Sequence, residues 1–306
     1  MEARQASVAA ESQRAVRSGP RTADGAERWM ASAQSRANAQ VAAEVEASNI
    51  YRLLATESLG PSRLDGLEER IAKLPRGIRE EVLGAYWKER AVSADYRSQR
   101  DNEIRPDGAC NVTSLAMTFD HLGIKIPGLR DGQQPEDRLS ELLNEELGYS
   151  LTGSDHPGSF FEPRRELANL LGAELTQDWK SGMSARGCKS YFLETVLPLL
   201  KMGAAASIGI RFTNRRGETR YHIVRLEWVD ETGITVDDPY GNATFYGGTT
   251  MGLSQNSTDV GDADGSEGRK GEDSHWTFSE AAQVVRYVQW TTIPESKVHA
   301  AMLDSL

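Results

Sequence analysis

The chain has 306 residues and a formal net charge of −10, and its length suffices for one or two domains with a sizeable core. The acidic charge argues against nucleic acid and against an anionic membrane surface as main partners. No apolar run approaches the length of a membrane span, and the first residues lack the apolar core of a signal peptide, so we expect a cytoplasmic protein.

Residues 1–48 are rich in Ala, Ser, Gln, Arg and Glu and contain few large apolar side chains. Such a segment cannot bury much surface, which predicts a flexible arm in the isolated protein. Its alanine content also favours a long helix where another chain lies alongside. We therefore expect a flexible or partner-dependent helical arm.

Residues 49–92 predict a small helical element before a larger domain, which we assign to residues 93–306. Apolar residues recur at helical spacing on both sides of Pro75, at Leu64, Leu67, Ile71 and Leu74 and then at Ile78, Val82 and Tyr86. Pro75 ends the first of these helices, because proline disrupts the interior of a helix.

A polar, turn-forming run ends at Cys110, and an apolar helical pattern starts there. Its stripe comprises Val112, Leu115, Ala116, Phe119 and Leu122, and Gly123 fits the end of the helix. The free N–H groups and the dipole at a helix start favour a thiolate, which is how a nucleophilic thiol is commonly presented. A small buried residue at a helix start is the alternative interpretation.

The patterns downstream of this helix predict more helices and then an antiparallel sheet. Helices are expected over 135–147, 163–171 and 191–202, each followed by a glycine. A strand is expected over 204–212, and a turn at 215–218 would lead into a strand that contains His222. Helices first and an antiparallel sheet later indicate an α+β fold.

The strand of His222 continues into a hairpin. Residues 221–229 are rich in β-branched and aromatic side chains, and a turn leads to a return strand that Pro239 stops. With this pairing, Asp238 is a diagonal neighbour of His222, within reach of a hydrogen bond. Asp237 competes for this role, since only one of the two can point at His222. A histidine oriented by an aspartate, with a cysteine on a distant helix, is typical of a nucleophile, its base and the orienting residue.

The motifs SQRDN…CNVTSLAM and YHIVRLEWVDETGITVDDPYG resemble the papain-like cysteine peptidases related to bacteriocin-leader peptidases, whose members occur in bacteria and their phages. The resemblance covers about residues 96–246, with a weaker tail to residue 290. It implies a papain-like α+β fold, in which the cysteine-bearing helix packs on an antiparallel sheet. The helical N-terminal arm that the composition of residues 1–48 indicates would precede this fold.

The same resemblance implies the roles of four residues. Cys110 would be the nucleophile, His222 the general base and Asp238 the orienting residue. Gln99 would be the side-chain donor to the oxyanion. In the family this glutamine usually lies closer to the cysteine, so Asn102 is a rival for the role. The usual Cys-Gly pair is also Cys110-Asn111 in this chain.

The C-terminal third contains less regular stretches. Residues 254–275 predict a mobile acidic loop within the larger domain. Thr277 and Glu280 form a capping box, which predicts a helix that includes Ala281, Val285 and Val288. A last short helix is expected over 296–306.

The remaining titratable residues are poor candidates for catalysis. His121 lies on the Cys110 helix about 16 Å from the thiol, by the helical rise, and His156 and His275 lie in polar loops. Cys188 has no recognisable partner, and two cysteines do not make a disulfide scaffold. No His/Cys/Asp cluster has zinc spacing, so we expect no metal and no cofactor.

These observations predict a thiol hydrolase that cleaves a peptide or amide bond, in a polypeptide or in the peptide part of a bacterial cell wall. A transamidase would use the same residues. The alternative, from another class, is a structural or binding protein of a phage virion that retains the peptidase-like fold, with or without activity. Its arm of residues 1–48 would then contact other virion proteins.

Overall fold

A computed structural model describes residues 23–55, 61–152, 155–255 and 270–294. Helices predominate in the first two thirds of the chain and strands in the last third. The helices are α1 (Ala23–Ala55), α2 (Pro61–Ala72), α3 (Arg76–Ser93), α4 (Cys110–Leu122), α5 (Pro135–Glu145), α6 (Phe161–Leu170), α7 (Ala185–Tyr191), α8 (Leu197–Lys201) and α9 (Phe278–Val284). The strands are β1 (Glu174–Trp179), β2 (Ala205–Thr213), β3 (Thr219–Val229), β4 (Gly233–Asp237), β5 (Gly241–Gly247), β6 (Thr250–Gln255), β7 (Ser274–Thr277) and β8 (Val285–Thr292). Within these ranges, no helix combines the length and the apolar character that a membrane crossing requires.

The strands form one sheet in the order β1-β8-β2-β3-β4-β7, and neighbours along this path are antiparallel. The hairpin of β5 and β6 joins the sheet through β2. One apolar face of the sheet packs against the helices from α7 to α9, with Phe192, Val196 and Leu200 among the contacting residues. The predicted α+β architecture is confirmed.

The Cys110 helix forms as its apolar stripe predicts. The five stripe residues are all buried, and all of them except Leu122 belong to one cluster with apolar side chains of α5, α6 and β1. Gly123 ends the helix at φ 70°, a left-handed conformation that glycine adopts without steric cost. The hydroxyl of Ser114 donates to the carbonyl of Ile223 at 3.1 Å, which attaches the helix to β3. The start of the helix is therefore fixed relative to the strand of His222.

The long N-terminal helix crosses the predicted boundary between residues 48 and 49. Its residues 27–42 are mostly exposed, but Ala47 and Ile50 are buried against α2 and α3. Glu46 also pairs with Arg70 of α2 at 2.7 Å. The contacts begin before residue 49 because the apolar positions of α1 near its C-terminal end face the two following helices.

Two helices differ from their predicted bounds by more than two residues at one end. The helix that the capping box of Thr277 opens ends at Val284, and Val285 and Val288 belong to β8. Their spacing also fits a helix, but this β-branched and aromatic stretch lies between two strands of the sheet. The helix expected over 191–202 begins earlier, at the start of α7, where the hydroxyl of Ser184 accepts the N–H of Gly187.

Strands occupy both ends of the loop that was expected over 254–275. Residues 254 and 255 end β6, and residues 274 and 275 begin β7, which pairs with β4. The rest of the loop between residues 256 and 269 lies outside the described residues, as do residues 1–22 of the arm and the helix expected over 296–306. Strands β1, β5 and β6 were not predicted.

Replacing Ile50 by alanine tests the contact between α1 and the following helices. Ile50 is fully buried, so Ile50→Ala should lower the free energy of unfolding by about 2–5 kcal/mol. Val45→Ala is the matched control on the same helix, because Val45 is 56% exposed and should change it by less than about 0.5 kcal/mol. Urea denaturation followed by circular dichroism measures both. Equal effects would show that α1 does not pack on α2 and α3.

Candidate active site

Cys110 is the first residue of α4, at the end where backbone N–H groups have no partner within the helix. Its side chain is half-buried and lines an open cleft of about 1170 Å³. The polar turn before it and the apolar stripe after it place the thiol at the boundary between solvent and core. A thiol in this position is accessible to a substrate and lies in the positive field of the helix dipole.

His222 and Asp238 meet because of the register of β3 and β4. Arg225 pairs with Asp237, so the next residue, Asp238, lies beside Val224 and diagonal to His222. His222 Nε2 and Asp238 Oδ1 are 2.6 Å apart, and both side chains are buried. The diagonal contact expected from the hairpin is thus present.

Several contacts hold Asp238 in place. The Tyr96 hydroxyl donates to its carbonyl at 2.8 Å, and its own N–H donates to the carbonyl of Gly271 at 2.9 Å. The N–H of Tyr240 donates to Oδ1 at 2.9 Å, so this oxygen receives hydrogen bonds from two sides. These contacts fix the carboxylate before any substrate binds.

Asp237 points away from His222, to Arg225. The Nε and Nη2 atoms of Arg225 lie 2.7 and 2.6 Å from Asp237 Oδ2, and this ion pair is buried. The alternation of side chains along β4 therefore directs one aspartate to the imidazole and the other to a guanidinium.

The electrostatics of the site favour an ionised Cys110–His222 pair. Burial opposes ionisation of the thiol, but the charge of His222 and hydrogen bonds from His222 and the Ile223 backbone outweigh it and lower the pKa of Cys110. Burial also opposes the charge on His222, yet Asp238 and Cys110 raise the pKa of this imidazole to about 10. Because Nε2 faces Asp238, Nδ1 is the nitrogen left for the thiol. Both shifts favour a thiolate beside an imidazolium.

Gln99 and Asn102 lie in different surroundings. Gln99 lines the cleft with Cys110, and its backbone N–H donates to the carbonyl of Pro239 at 2.9 Å. Its side-chain Nε2 donates one hydrogen to the carbonyl of Pro106 at 2.8 Å, which leaves the second N–H of this amide. Asn102 instead donates to Thr113 Oγ1 at 3.2 Å, inside the protein. Only Gln99 of the two is among the residues that line the cleft.

His156 is buried, although its sequence context indicated a polar loop. Its Nδ1 accepts the N–H of Gly158 at 3.0 Å, and its Nε2 lies 3.0 Å from the hydroxyl of Ser140. Burial and the charge of Arg105 lower its pKa to about 4, so it stays neutral. It supports the turn at residues 157–159, and Asn111 Nδ2 donates to Ser159 Oγ of that turn at 2.9 Å. The unusual asparagine after Cys110 therefore connects α4 to one wall of the cleft.

The opposite wall contains residues that sequence reasoning missed. Trp179, Arg211, Tyr221, Arg286 and Tyr287 line the same cleft, and they come from four strands. Of these strands, β2 and β3 were predicted, β1 was not, and residues of β8 were assigned to a helix. Without the strand order, nothing in the local sequence brings these side chains together.

The second cysteine and a cluster of carboxylates do not line the cleft of Cys110. Cys188 is buried, and burial raises its pKa to about 12. In the described residues, one group of carboxylates is close enough to share a cation, formed by Glu227, Asp237 and Asp273. Arg225 already balances Asp237, and burial with a hydrogen bond to Asp273 raises the pKa of Glu227 to about 9. Arg225 therefore balances one of these carboxylates, and a bound proton is favoured on another.

Two comparisons with known proteins bear on the site. The model of a family described as the Peptidase_C39 like family matches residues 92–250. The matched stretch contains Gln99, Cys110, His222 and Asp238 and ends within β6. No curated protein matched the chain.

Alkylation of Cys110 tests the ion pair without knowledge of a substrate. Since the pKa of Cys110 is lowered and Cys188 is buried, iodoacetamide at pH 6 should modify Cys110 ahead of Cys188. In His222→Ala the rate at pH 6 should fall on the order of 10- to 100-fold, because an ordinary thiol is mostly protonated there. At pH 9 the rates of the two proteins should converge. Peptide mass mapping measures the modification.

The Cys188→Ala protein is the control, and its labelling should match that of the unmodified chain. A rate at pH 6 that does not depend on His222 would contradict the ion pair. Circular dichroism of His222→Ala excludes unfolding as the cause of a change in rate.

Proposed function

The chain belongs to the Peptidase_C39 like family, a family of the cysteine-peptidase type, and we propose that it hydrolyses peptide or amide bonds with Cys110, His222 and Asp238 as catalytic triad. The observation that carries this proposal is the 2.6 Å contact between His222 Nε2 and Asp238 Oδ1, with the other imidazole nitrogen left for a thiol at a helix start. Cys110 and His222 come from separate parts of the chain and line one open cleft, and the buried carboxylate of Asp238 contacts the imidazole of His222.

In the first half of the proposed reaction, the Cys110 thiolate attacks the carbonyl carbon of the scissile bond. The carbonyl oxygen becomes an oxyanion. The free side-chain N–H of Gln99 and a backbone N–H at the start of α4 stabilise it. The His222 imidazolium then donates its proton to the leaving amine, and the C–N bond breaks. A thioester between Cys110 and the acyl part of the substrate remains.

In the second half, neutral His222 accepts a proton from water, which attacks the thioester. The carboxylic acid leaves, the thiol is released as thiolate, and His222 is again an imidazolium. Asp238 keeps Nε2 as the protonated nitrogen throughout, so Nδ1 always faces the reacting atoms. An amine in place of water would give a transamidation with the same residues.

The substrate class follows from this chemistry. An open cleft accepts an extended chain, and the reaction needs only a planar amide, so both a polypeptide and the peptide part of a cell wall are suitable substrates.

A structural or binding role without catalysis is the second candidate. The observation that favours it is the exposure of Trp29 and Met30 on α1, at 41% and 57%. Exposed apolar side chains of this size are common where a helix meets another protein. A virion is one assembly in which such a helix would be covered. In this case Cys110 need not be ionised, and its labelling would not depend on His222.

Replacement of each triad residue tests the catalytic proposal. Cys110→Ala should lower peptide hydrolysis by about 10⁶-fold, and Asp238→Asn should cost about one to two orders of magnitude less, because Asp238 acts only through the imidazole. Cys188→Ala is the matched control and should keep full activity. The measurement is turnover of a random peptide library, followed by mass spectrometry.

Full activity of Cys110→Ala would contradict the assignment of the nucleophile. A large loss in Asp237→Asn with normal activity in Asp238→Asn would transfer the orienting role to Asp237. Because Asp237 forms a buried ion pair, its variant requires a melting curve beside the activity measurement.

The role of Gln99 has its own test. Gln99→Ala should reduce kcat on the order of 10²–10³-fold with KM little changed, which is typical of the loss of one oxyanion donor. Asn102→Ala is the matched control, since it loses a buried hydrogen bond to Thr113 and should lower the melting temperature without this effect on kcat. The reverse pattern would assign the role to Asn102. Normal kcat in both variants would show that only backbone N–H groups stabilise the oxyanion.

A further inference from the structure

The wall of the cleft opposite α4 is a flat aromatic surface on the sheet. Trp179, Tyr287, Gly209 and Ile223 are direct partners across four adjacent strands, so their side chains lie on one face. The rings of Trp179 and Tyr287 are 5.1 Å apart, edge to face. A Cβ atom at Gly209 would overlap the Tyr287 ring, so this glycine lets the ring lie flat on β2.

Two arginines border this aromatic surface. Arg211 is the direct partner of Tyr221, and its Cζ lies 6.0 Å from the centre of that ring. Arg286 lies at an irregularity of β8, where the pairing with β2 passes from Tyr287 directly to Val285. Such a bulge changes the direction of a side chain, and Arg286 here lines the cleft.

Neither of these guanidinium groups has a carboxylate partner among the described residues. Arg286 donates to the carbonyl oxygens of Val285 and Gln283, at 2.8 and 3.5 Å. Burial and the neighbouring charge of Arg211 lower the pKa of Arg286, which indicates that the two positive charges are close. Two unbalanced like charges in a protein of net charge −10 form a local site that favours an anion.

A third arginine in the cleft provides a comparison. Arg220 lies 2.6 Å from Glu218, so its charge is already balanced. The acidic residues that line the cleft are Asp107, before α4, and Asp155, between α5 and α6, so neither lies on the sheet, and Asp107 pairs with Arg100. The positive charge on the sheet side is therefore carried by Arg211 and Arg286.

We propose that Arg211 and Arg286 bind a carboxylate of the substrate, so that the sheet side of the cleft selects peptides with an acidic group close to the scissile bond. Arg211 and Arg286 line the same cleft as Cys110 and His222, and Tyr221, the direct partner of Arg211, precedes His222 on β3. The carboxylate belongs either to an Asp or Glu side chain or to the C-terminus of the peptide. The aromatic surface of Trp179, Tyr221 and Tyr287 contacts the apolar part of the same substrate. Trp179 and Tyr221 are 67% and 74% exposed, which leaves their rings available.

This inference rests on the proposed hydrolase activity, and its test separates the two. A random peptide library is divided into one pool with free C-termini and one with amidated C-termini. The cleaved sequences should contain Asp or Glu at one fixed position near the cut, or should be cut at a fixed distance from a free C-terminus. The first pattern identifies an acidic side chain as the ligand, and the second identifies the terminal carboxylate.

The double variant Arg211→Gln/Arg286→Gln should reduce kcat/KM for the preferred acidic peptide by about 10- to 100-fold, which is typical of lost charge-assisted hydrogen bonds. It should leave cleavage of the peptide with Gln in place of Glu nearly unchanged. Arg220→Gln removes the same charge from the same cleft and is the matched control, which should keep the acidic preference.

A binding measurement makes the test independent of catalysis. The full chain with Cys110→Ala is incubated with the same two pools, and retained peptides are identified by mass spectrometry. Retention of acidic peptides that is lost with Arg211→Gln/Arg286→Gln supports the subsite, even where the active chain cleaves nothing and the proposed function fails. Cleavage or retention without acidic preference, or a preference that survives the double variant, overturns the subsite and leaves the hydrolase proposal in place. Neither cleavage nor retention of any peptide overturns both.

Discussion

The 2.6 Å hydrogen bond between His222 Nε2 and Asp238 Oδ1 depends on the register of one hairpin. A slip of β4 by one residue would move every side chain to the other face and would present Asp237 to the imidazole. The buried pair of Arg225 and Asp237 opposes this slip, because a carboxylate removed from its guanidinium would leave both charges buried and unpaired. The adjacent aspartates therefore have complementary tasks: one fixes the register, and the other orients the imidazole.

The same hairpin also positions the segment that leads to Cys110. Arg225 Nη2 donates to the carbonyl of Ala91 at 2.7 Å, and the Tyr96 hydroxyl donates to that of Asp238. The backbone N–H of Gln99 donates to Pro239, directly after the orienting aspartate. The residues that would stabilise the oxyanion and those that would orient the base thus share one network. A change in the register of the hairpin would displace both.

Local patterns in the sequence predict the site but not the wall opposite to it. The stripe from Val112 to Leu122 predicts α4, and the alternation around His222 predicts the hairpin, because each signal lies within one or two adjacent elements. The aromatic wall requires the order of four strands, and no local pattern contains that order. Val285 and Val288 satisfy helical spacing as well, and only their place in the sheet decides between the two structures. The burial of His156 likewise depends on Ser140, on another element.

Strand β8 has a consequence for the folding of the chain during its synthesis. It lies between β1 and β2, although it follows both of them by more than 70 residues in the sequence. Until residue 292 has left the ribosome, the facing edges of β1 and β2 have no partner, and exposed strand edges are prone to pair with other chains. The sheet that supports His222 can therefore be completed only long after Cys110 and its helix have been synthesised. A nascent chain would therefore contain Cys110 well before the complete sheet that positions His222 is available.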